Sequence, residues 1–241
     1  EKSEELARQH NVTRLIGNHE WVTMMGVDKD DVFAQYVPDA DLASFGGWSG
    51  RKRAFSALGD LGKLIRKGFE VMALKQIPSD PQSRTLYVHA GVSLKTMVSY
   101  GSAEAIQAAG KEALLSDQLH TELLNEILQT RHLAQGREAK VCNEVLGILK
   151  VAKAERLVLG HTPTSLVGSP EGTPKIRCKG RLLLTDVAMS KWMGGGMPAA
   201  LILETGPEGT LTRIHVKHSR GEETEVPILE LLNDYSKLSE L

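Results

Sequence analysis

Three histidines each stand in a short loop directly after a run of apolar residues. They are His19 in Gly-Asn-His-Glu, His89 in His-Ala-Gly and His161 in Gly-His-Thr-Pro. Imidazole nitrogens bind first-row divalent metals such as zinc, iron and manganese, and the carbonyl oxygen of Asn18 is a further neutral ligand. The combination is typical of half of a metal site.

A single histidine after a strand is more often a hydrogen-bonded structural group than a metal ligand. The joint pattern favours the opposite interpretation, because ligands gather at the carboxyl ends of strands in open α/β sheets. Residues that are distant in sequence can therefore meet at one edge of a sheet if each follows a strand. We expect His19, His89 and His161 to meet in this way.

The elements that must position these loops alternate between short apolar runs and amphipathic stretches. We expect strands at 12–16, 69–74, 85–88, 156–159, 175–178, 182–185, 199–204 and 210–216, and helices at 4–10, 32–36, 51–67 and 228–235. A mostly helical insertion is predicted at about 94–152, with Leu119, Leu123 and Ile127 on one buried stripe. The order predicts an α/β fold, a layered β-sandwich flanked by helices, as a single domain over 1–241.

The composition excludes several classes of protein. Of the 241 residues, 41% are hydrophobic and 24% are charged, which is ordinary for a globular domain. The net charge of -1 predicts neither nucleic acid nor an anionic membrane as a partner. No apolar run is long enough to span a bilayer, so we expect a cytoplasmic protein. The oligomeric state stays open.

Neither the basic cluster at 51–53 nor the two cysteines are assigned a role in the site. The basic cluster at 51–53 is interpreted as a solvated helix face rather than a docking patch. Cys142 and Cys178 would pair only if the fold brought them together, and nothing in the sequence indicates that it does. A reducing compartment is therefore the default expectation.

The three loops, in this order, resemble those of the calcineurin-like metallophosphoesterases, and within them the phosphoprotein phosphatase superfamily. Ile16, Ala90 and Gly-His-Thr at 160–162 resemble the bacterial-like branch, often called Shewanella-like phosphatases. The stretch from Asp-Val-Ala-Met-Ser-Lys at 186–191 to Pro-Ala-Ala-Leu at 198–201 is similar to that branch as well. The resemblance covers nearly the whole chain and implies the metallophosphoesterase fold.

The resemblance also implies a role for each loop residue. Asn18, His89 and His161 would bind the second of two divalent ions, which would be manganese, iron or zinc. Two such ions about 4 Å apart would share a hydroxide that attacks phosphorus in line. His19 would be the general acid that protonates the leaving group, because the ordinary pKa of a histidine side chain lies near the working pH. Glu20 would be an outer partner.

Arg131 carries a looser part of the resemblance. The sequence Gln-Thr-Arg-His at 129–132 is similar to a Trp-x-Arg element whose guanidinium binds phosphate, and the planar fork of arginine suits two phosphoryl oxygens. The alternative interpretation is an exposed arginine at the end of a helix. Both interpretations stay open at this stage.

The family's first segment is missing from the sequence. Its Asp-x-His and Gly-Asp-x-x-Asp loops supply the ligands of the first metal, and neither string occurs here. The nearest string, Gly-Asp-Leu-Gly at 59–62, lies in a helical stretch and lacks the second aspartate. We expect the first βαβ segment to lie upstream of Glu1, so that the domain is truncated at its amino-terminal end.

The function implied by the resemblance is that of a metal-dependent phosphomonoester hydrolase, a metallophosphatase acting on phosphorylated protein. The sequence does not distinguish phosphoserine, phosphothreonine and phosphotyrosine. Two alternatives stay open. The chain could be a catalytically silent binding module, because the three expected ligands carry no carboxylate charge. It could instead hydrolyse a small phosphoester such as a dinucleoside polyphosphate, since one fold supports several substrates.

Overall fold

A computed structural model of the chain describes residues 12–77, 80–170, 172–189, 197–206, 211–219 and 221–226. Its strands form a five-stranded sheet and a three-stranded sheet. The strands are β1 (Met72–Ile77), β2 (Asp80–Val88), β3 (Arg156–Leu159), β4 (Lys175–Arg177), β5 (Leu182–Leu184), β6 (Ala199–Thr205), β7 (Leu211–His218) and β8 (Glu223–Val226). The first sheet has the order β1-β2-β3-β5-β4, and the second has the order β6-β7-β8.

Helices lie before the first sheet strand and between β2 and β3. They are α1 (Asn18–Met25), α2 (Asp39–Ser44), α3 (Trp48–Phe55), α4 (Asp60–Gly68), α5 (Leu94–Tyr100), α6 (Ala103–Leu115), α7 (Glu122–Gln129), α8 (His132–Gln135) and α9 (Glu138–Ala152). Ser93, Ser102 and Thr121 cap α5, α6 and α7, each accepting a hydrogen bond from a first-turn amide. In the described part of the chain no helix is both long and apolar enough to cross a bilayer.

The larger sheet brings the loops after three of its strands to one edge. β2, β3 and β5 run parallel, and the register pairs Val88 with Leu159 and Leu159 with Leu184. The amide of Gly160 donates to the carbonyl oxygen of His89 at 2.8 Å, which joins the first two loops. The edge strands β1 and β4 are antiparallel to their neighbours. The carboxyl ends of β2, β3 and β5 therefore meet, as expected.

The two sheets pack on each other through a small apolar cluster. Val158 and Leu183 of the larger sheet contact Ile214 and Val216 of the smaller one. The main core lies between the larger sheet and the helices and includes the buried side chains of Leu159 and other apolar strand residues. The chain is a mixed α/β structure with a central mixed sheet flanked by helices and a small second sheet, which confirms the α/β class that the sequence predicts.

The region before β1 differs from the expectation. The predicted strand at 12–16 is reduced to one parallel bridge between Leu15 and Glu70. The predicted helix at 51–67 is two helices, α3 and α4, with a turn between them. Ser56 has an extended backbone and its hydroxyl accepts from the amide of Gly59 at 3.2 Å, which ends one helix and starts the next.

The remaining elements follow the predicted order with shifted ends. Leu123 and Ile127 lie buried in α7, whereas Leu119 is buried just before that helix. β1 begins later and β2 begins earlier than expected, and β8 was not predicted. The predicted helices at 4–10 and 228–235 lie outside the described residues.

The expectation of two separate cysteines is wrong. Cys142, in α9, and Cys178, directly after β4, are joined by a disulfide. The cause is tertiary, because Arg177 donates to the carboxylate of Glu138 at 2.7 Å and so holds the end of β4 against the first turn of α9. The amide of Cys178 also donates to Glu138 at 2.9 Å.

Candidate metal centre

The first loop positions Asn18 at the start of α1. The carboxylate of Glu20 accepts from the amide of Gly17 at 2.9 Å, which fixes the first turn of the helix. The side chain of Asn18 is buried, and its Oδ1 lies 2.9 Å from Nε2 of His89. A Cβ at residue 17 would lie 2.8 Å from a carboxylate oxygen of Glu20 and 3.1 Å from Cε1 of His89, so the close approach of the two loops favours glycine there.

The third loop places His161 beside His89. The ring centroids of the two histidines are 5.0 Å apart. His161 is buried and has a backbone φ of 63°, in the left-handed region that costs a non-glycine residue free energy. Its Nε2 lies 3.2 Å from the carbonyl oxygen of Gln129, and since a carbonyl can only accept, this nitrogen carries the proton. Nδ1 of His161 therefore has a free lone pair.

Burial keeps both imidazoles neutral. The pKa of His89 is lowered to about 3, mainly by burial and to a smaller extent by electrostatic repulsion from His161, His19 and Arg131. Burial also lowers the pKa of His161 to about 4, with Arg131 the next cause. The hydrogen bond to Gln129 and the negative charge of Asp186 have the opposite effect and raise the pKa of His161. Neutral imidazole is the form that binds metals.

His19 and Arg131 lie near this cluster but are more accessible to solvent. His19 is exposed, and its ring meets that of Tyr36 edge to face at a centroid distance of 5.3 Å. Arg131 is half-buried and directly precedes α8. Both are close enough for their charges to act on His89 and His161. Their roles in catalysis stay predictions.

Asp186 is a site residue that the sequence interpretation assigned no role. It follows β5 at the same edge of the sheet, and its negative charge raises the pKa of His161. Its carboxylate accepts from the amide of Ala188 at 3.0 Å. The signal that could have found it is the one used for the histidines, namely its position directly after a buried strand.

The donor atoms have the chemistry of metal ligands. Nε2 of His89 donates a hydrogen bond to Oδ1 of Asn18 at 2.9 Å, because an amide oxygen can only accept, and Nδ1 of His89 therefore has the lone pair. His161 donates its Nε2 proton to a backbone carbonyl, an arrangement that orients the other nitrogen of metal-binding histidines. The chemistry of these side chains therefore suits a divalent ion.

A second cluster of potential ligand atoms does not form such a site. Among the described residues, three His, Cys, Asp or Glu side chains lie close enough to share one ion only at Glu138, Cys142 and Cys178. The two sulfur atoms there are bonded to each other, and metal binding by cysteine requires the thiolate.

Two cavities differ in their relation to the histidines. One, of about 190 Å³, has His19 and Glu20 in its wall, together with Phe33, Tyr36 and Arg51. A larger one, of about 560 Å³, lies beside β1 and α6 and contacts none of the predicted site residues. We judge the smaller cavity more relevant to chemistry because it opens next to His19.

Comparison with known protein sequences finds a relative that is similar over part of its length. No protein-family model matches the chain. An uncharacterized protein of Schizosaccharomyces pombe is 29% identical over 198 residues, which covers 76% of this chain and 53% of that protein. The chain therefore spans about half the length of this curated relative.

Two solved structures are similar over most of the chain. A cold-active protein tyrosine phosphatase matches with a TM-score of 0.63 and 18% identity, covering 89% of this chain and 57% of that chain. A single-residue mutant of a cold-active protein tyrosine phosphatase matches with a TM-score of 0.66 and 17% identity, covering 92% of this chain and 61% of that chain. At this level of identity the likeness shows a shared fold.

Proposed function

We propose that the chain is part of a metal-dependent phosphomonoester hydrolase that acts on phosphorylated protein side chains. The observation that carries the proposal is the convergence of Asn18, His89 and His161, three groups from three loops, at one edge of the sheet. The fold shared with structures of cold-active protein tyrosine phosphatases supports the same reaction class.

Asn18, His89 and His161 would hold a divalent ion of manganese, iron or zinc, one of a pair in the complete site. When bound, such ions supply Lewis acidity that activates water and compensates the charge of a phosphoryl group. The buried histidines are neutral without the ion, so no proton has to be displaced from a charged ring when it binds.

His19 and Arg131, which are more accessible than the histidine pair, would contact the substrate. Arg131 would bind two phosphoryl oxygens through its guanidinium, close to the histidine pair on which its charge already acts. His19, exposed to solvent beside them, would donate a proton to the oxygen of the leaving group. In this arrangement phosphate binding and leaving-group protonation are assigned to different side chains.

A second candidate is a catalytically silent binding module. It is favoured by the neutrality of the three proposed ligands, because two divalent cations without carboxylate ligands would repel each other with little compensation. The charge of Asp186 acts on His161 and offsets part of that deficit. We therefore prefer the hydrolase. A small phosphoester, such as a dinucleoside polyphosphate, is the alternative substrate class.

The test is metal analysis together with hydrolysis of para-nitrophenyl phosphate in manganese. It should be run on this chain and on the full-length protein that contains it. We expect little turnover from the chain and robust turnover, abolished by a chelator, from the full-length protein. If the full-length protein binds manganese and hydrolyses no phosphoester, the binding module is the correct interpretation.

A further inference from the structure

The turn that carries Arg131 is held by the side chains on either side of it. Oγ1 of Thr130 lies 2.7 Å from Nδ1 of His132, and Nε2 of His132 lies 3.2 Å from Oε1 of Glu144 in α9. A carboxylate can only accept, so this Nε2 carries a proton, and in the neutral ring Nδ1 accepts from the hydroxyl of Thr130. We call Thr130, His132 and Glu144 the clamp.

The clamp also connects the turn to the loop that follows β2. Glu144 accepts from the amide of Leu94, the first residue of α5, at 3.2 Å. A Cβ at Gly91 would lie 3.0 Å from the Cγ2 methyl group of Thr130, so this methyl group lies against the loop that contains His89. The clamp therefore fixes the turn relative to α9 and to the loop after β2.

The guanidinium of Arg131 has no restraint of its own. Arg131 is half-buried, and within the residues that the structure describes its guanidinium makes no hydrogen bond or ion pair. Its charge acts on His89 and His161, so it lies near both imidazoles. A long side chain loses conformational entropy when its end is fixed, and a backbone that already has the right direction reduces that loss.

We propose that the clamp positions Arg131 for phosphate binding by holding the backbone on both sides of it. The inference rests on the proposed function, because it takes Arg131 as the group that binds the phosphoryl oxygens. The three clamp residues are positioning residues, and each acts through Arg131. Loss of the clamp should therefore weaken phosphate binding and leave metal binding unchanged.

Thr130→Val in the full-length protein tests the clamp, because it removes the hydroxyl and keeps the methyl group near Gly91. With para-nitrophenyl phosphate in manganese we expect KM to rise about fivefold, the factor expected for one ordinary hydrogen bond. The value of kcat should stay within about twofold of wild type, and metal content should not change. Thr130→Ser keeps the hydroxyl and should have a KM within about twofold of wild type.

Thr121→Val is the matched control at the other end of the same helix. It removes the hydroxyl that caps the start of α7, so the melting temperature should fall. Because Thr121 has no part in the clamp, KM should stay within about twofold of wild type. A fivefold rise in this variant would show that any damage to α7 changes KM, and would overturn the inference.

A double variant separates positioning from a general structural role. When Thr130→Val is added to Arg131→Ala, KM should rise by less than about twofold, because residues that act as one unit have non-additive effects. A further rise of about fivefold would overturn the inference, since the hydroxyl would then act independently of Arg131.

Binding of inorganic phosphate separates failure of the inference from failure of the proposed function. It is measured by calorimetric titration of the full-length protein in manganese, and Kd should rise about fivefold in Thr130→Val. No hydrolysis together with this rise would reject the phosphatase and keep the clamp. Hydrolysis with equal KM for wild type and Thr130→Val would overturn the clamp and leave the phosphatase intact. Neither hydrolysis nor phosphate binding would reject both.

Discussion

The candidate site has two regions that differ in exposure. We call Asn18, His89 and His161 the floor, and His19 and Arg131 the rim. The floor side chains contact one another and are largely buried, and burial lowers the pKa of both floor imidazoles. The rim residues are exposed or half-buried. Groups of the same chemical type have thus been given different environments in the two regions.

The two environments at this edge of the sheet suit two different chemical tasks. A buried neutral imidazole has lost its water and offers a lone pair, which favours binding of a cation. An exposed imidazole keeps its freedom to exchange protons with solvent, which favours general acid catalysis. We expect floor variants to change metal content and rim variants to change turnover or substrate affinity.

The largest effect is expected from His89→Ala or His161→Ala. Each removes a proposed ligand, so the metal content after dialysis should fall below one ion per site. Turnover should fall by about a thousandfold or more, beyond the 10–100-fold typical of outer partners. Elemental analysis and para-nitrophenyl phosphate hydrolysis on the full-length protein measure both quantities. Full metal content in either variant would contradict the assignment of the floor.

His19→Ala should leave metal content unchanged and lower kcat by about 10²–10⁴-fold. The loss should be greater on phosphoserine than on phosphotyrosine, because a phenol, with a pKa of about 10, leaves more readily without a proton than an aliphatic alcohol does. Steady-state kinetics on one peptide sequence carrying either phosphoserine or phosphotyrosine gives the ratio of the two losses. Metal loss in this variant would move His19 from the rim to the floor.

Arg131→Ala should raise KM by about tenfold to a hundredfold, as expected for loss of a charged hydrogen bond to phosphate. Metal content should not change. Arg131→Lys should recover only part of the loss, because an ammonium group cannot make two parallel hydrogen bonds. Equal kinetics for wild type and Arg131→Ala would support the alternative of an arginine that merely ends a loop before α8.

The smallest effect is expected from Asp186→Asn. Loss of its negative charge beside His161 should weaken manganese binding by about tenfold, the lower limit for outer partners. Calorimetric titration with manganese measures the change. Asp30→Asn, at an exposed loop position, is the matched control and should bind manganese like wild type. Identical affinities for the two variants would place Asp186 outside the site.

Much of the site's geometry could be predicted because it depends on local pattern. β3 has the predicted bounds, Arg156–Leu159, since a fully buried parallel strand is a short continuous apolar run. The loops after β2 and β3 then meet through strand pairing alone. Asn18 and His89 were expected near each other on the resemblance, and the structure brings them within 2.9 Å.

The features that were missed depend on tertiary contacts or on weak signals. Asp186 begins a stretch that carries part of the resemblance, but the resemblance as interpreted gave that residue no role in the site. The split between α3 and α4 depends on the hydroxyl of Ser56 and a close approach at Gly59, where a Cβ would lie 2.2 Å from two backbone oxygens. The pairing of the cysteines depends on Arg177 reaching across to α9, a contact without a sequence signature.

The disulfide between Cys142 and Cys178 divides the proposed ligands topologically. It closes a covalent ring between cysteines separated by 36 positions, and His161 lies inside that ring while Asn18 and His89 lie outside it. Closing a ring of this size lowers the conformational entropy of the unfolded chain, which stabilises the folded state by about 4 kcal/mol. A backbone cut within the ring would leave His161 attached to the rest of the molecule until a reductant opened the bond. After such a cut, the Cys142–Cys178 disulfide is the covalent link that keeps His161 in one molecule with Asn18 and His89.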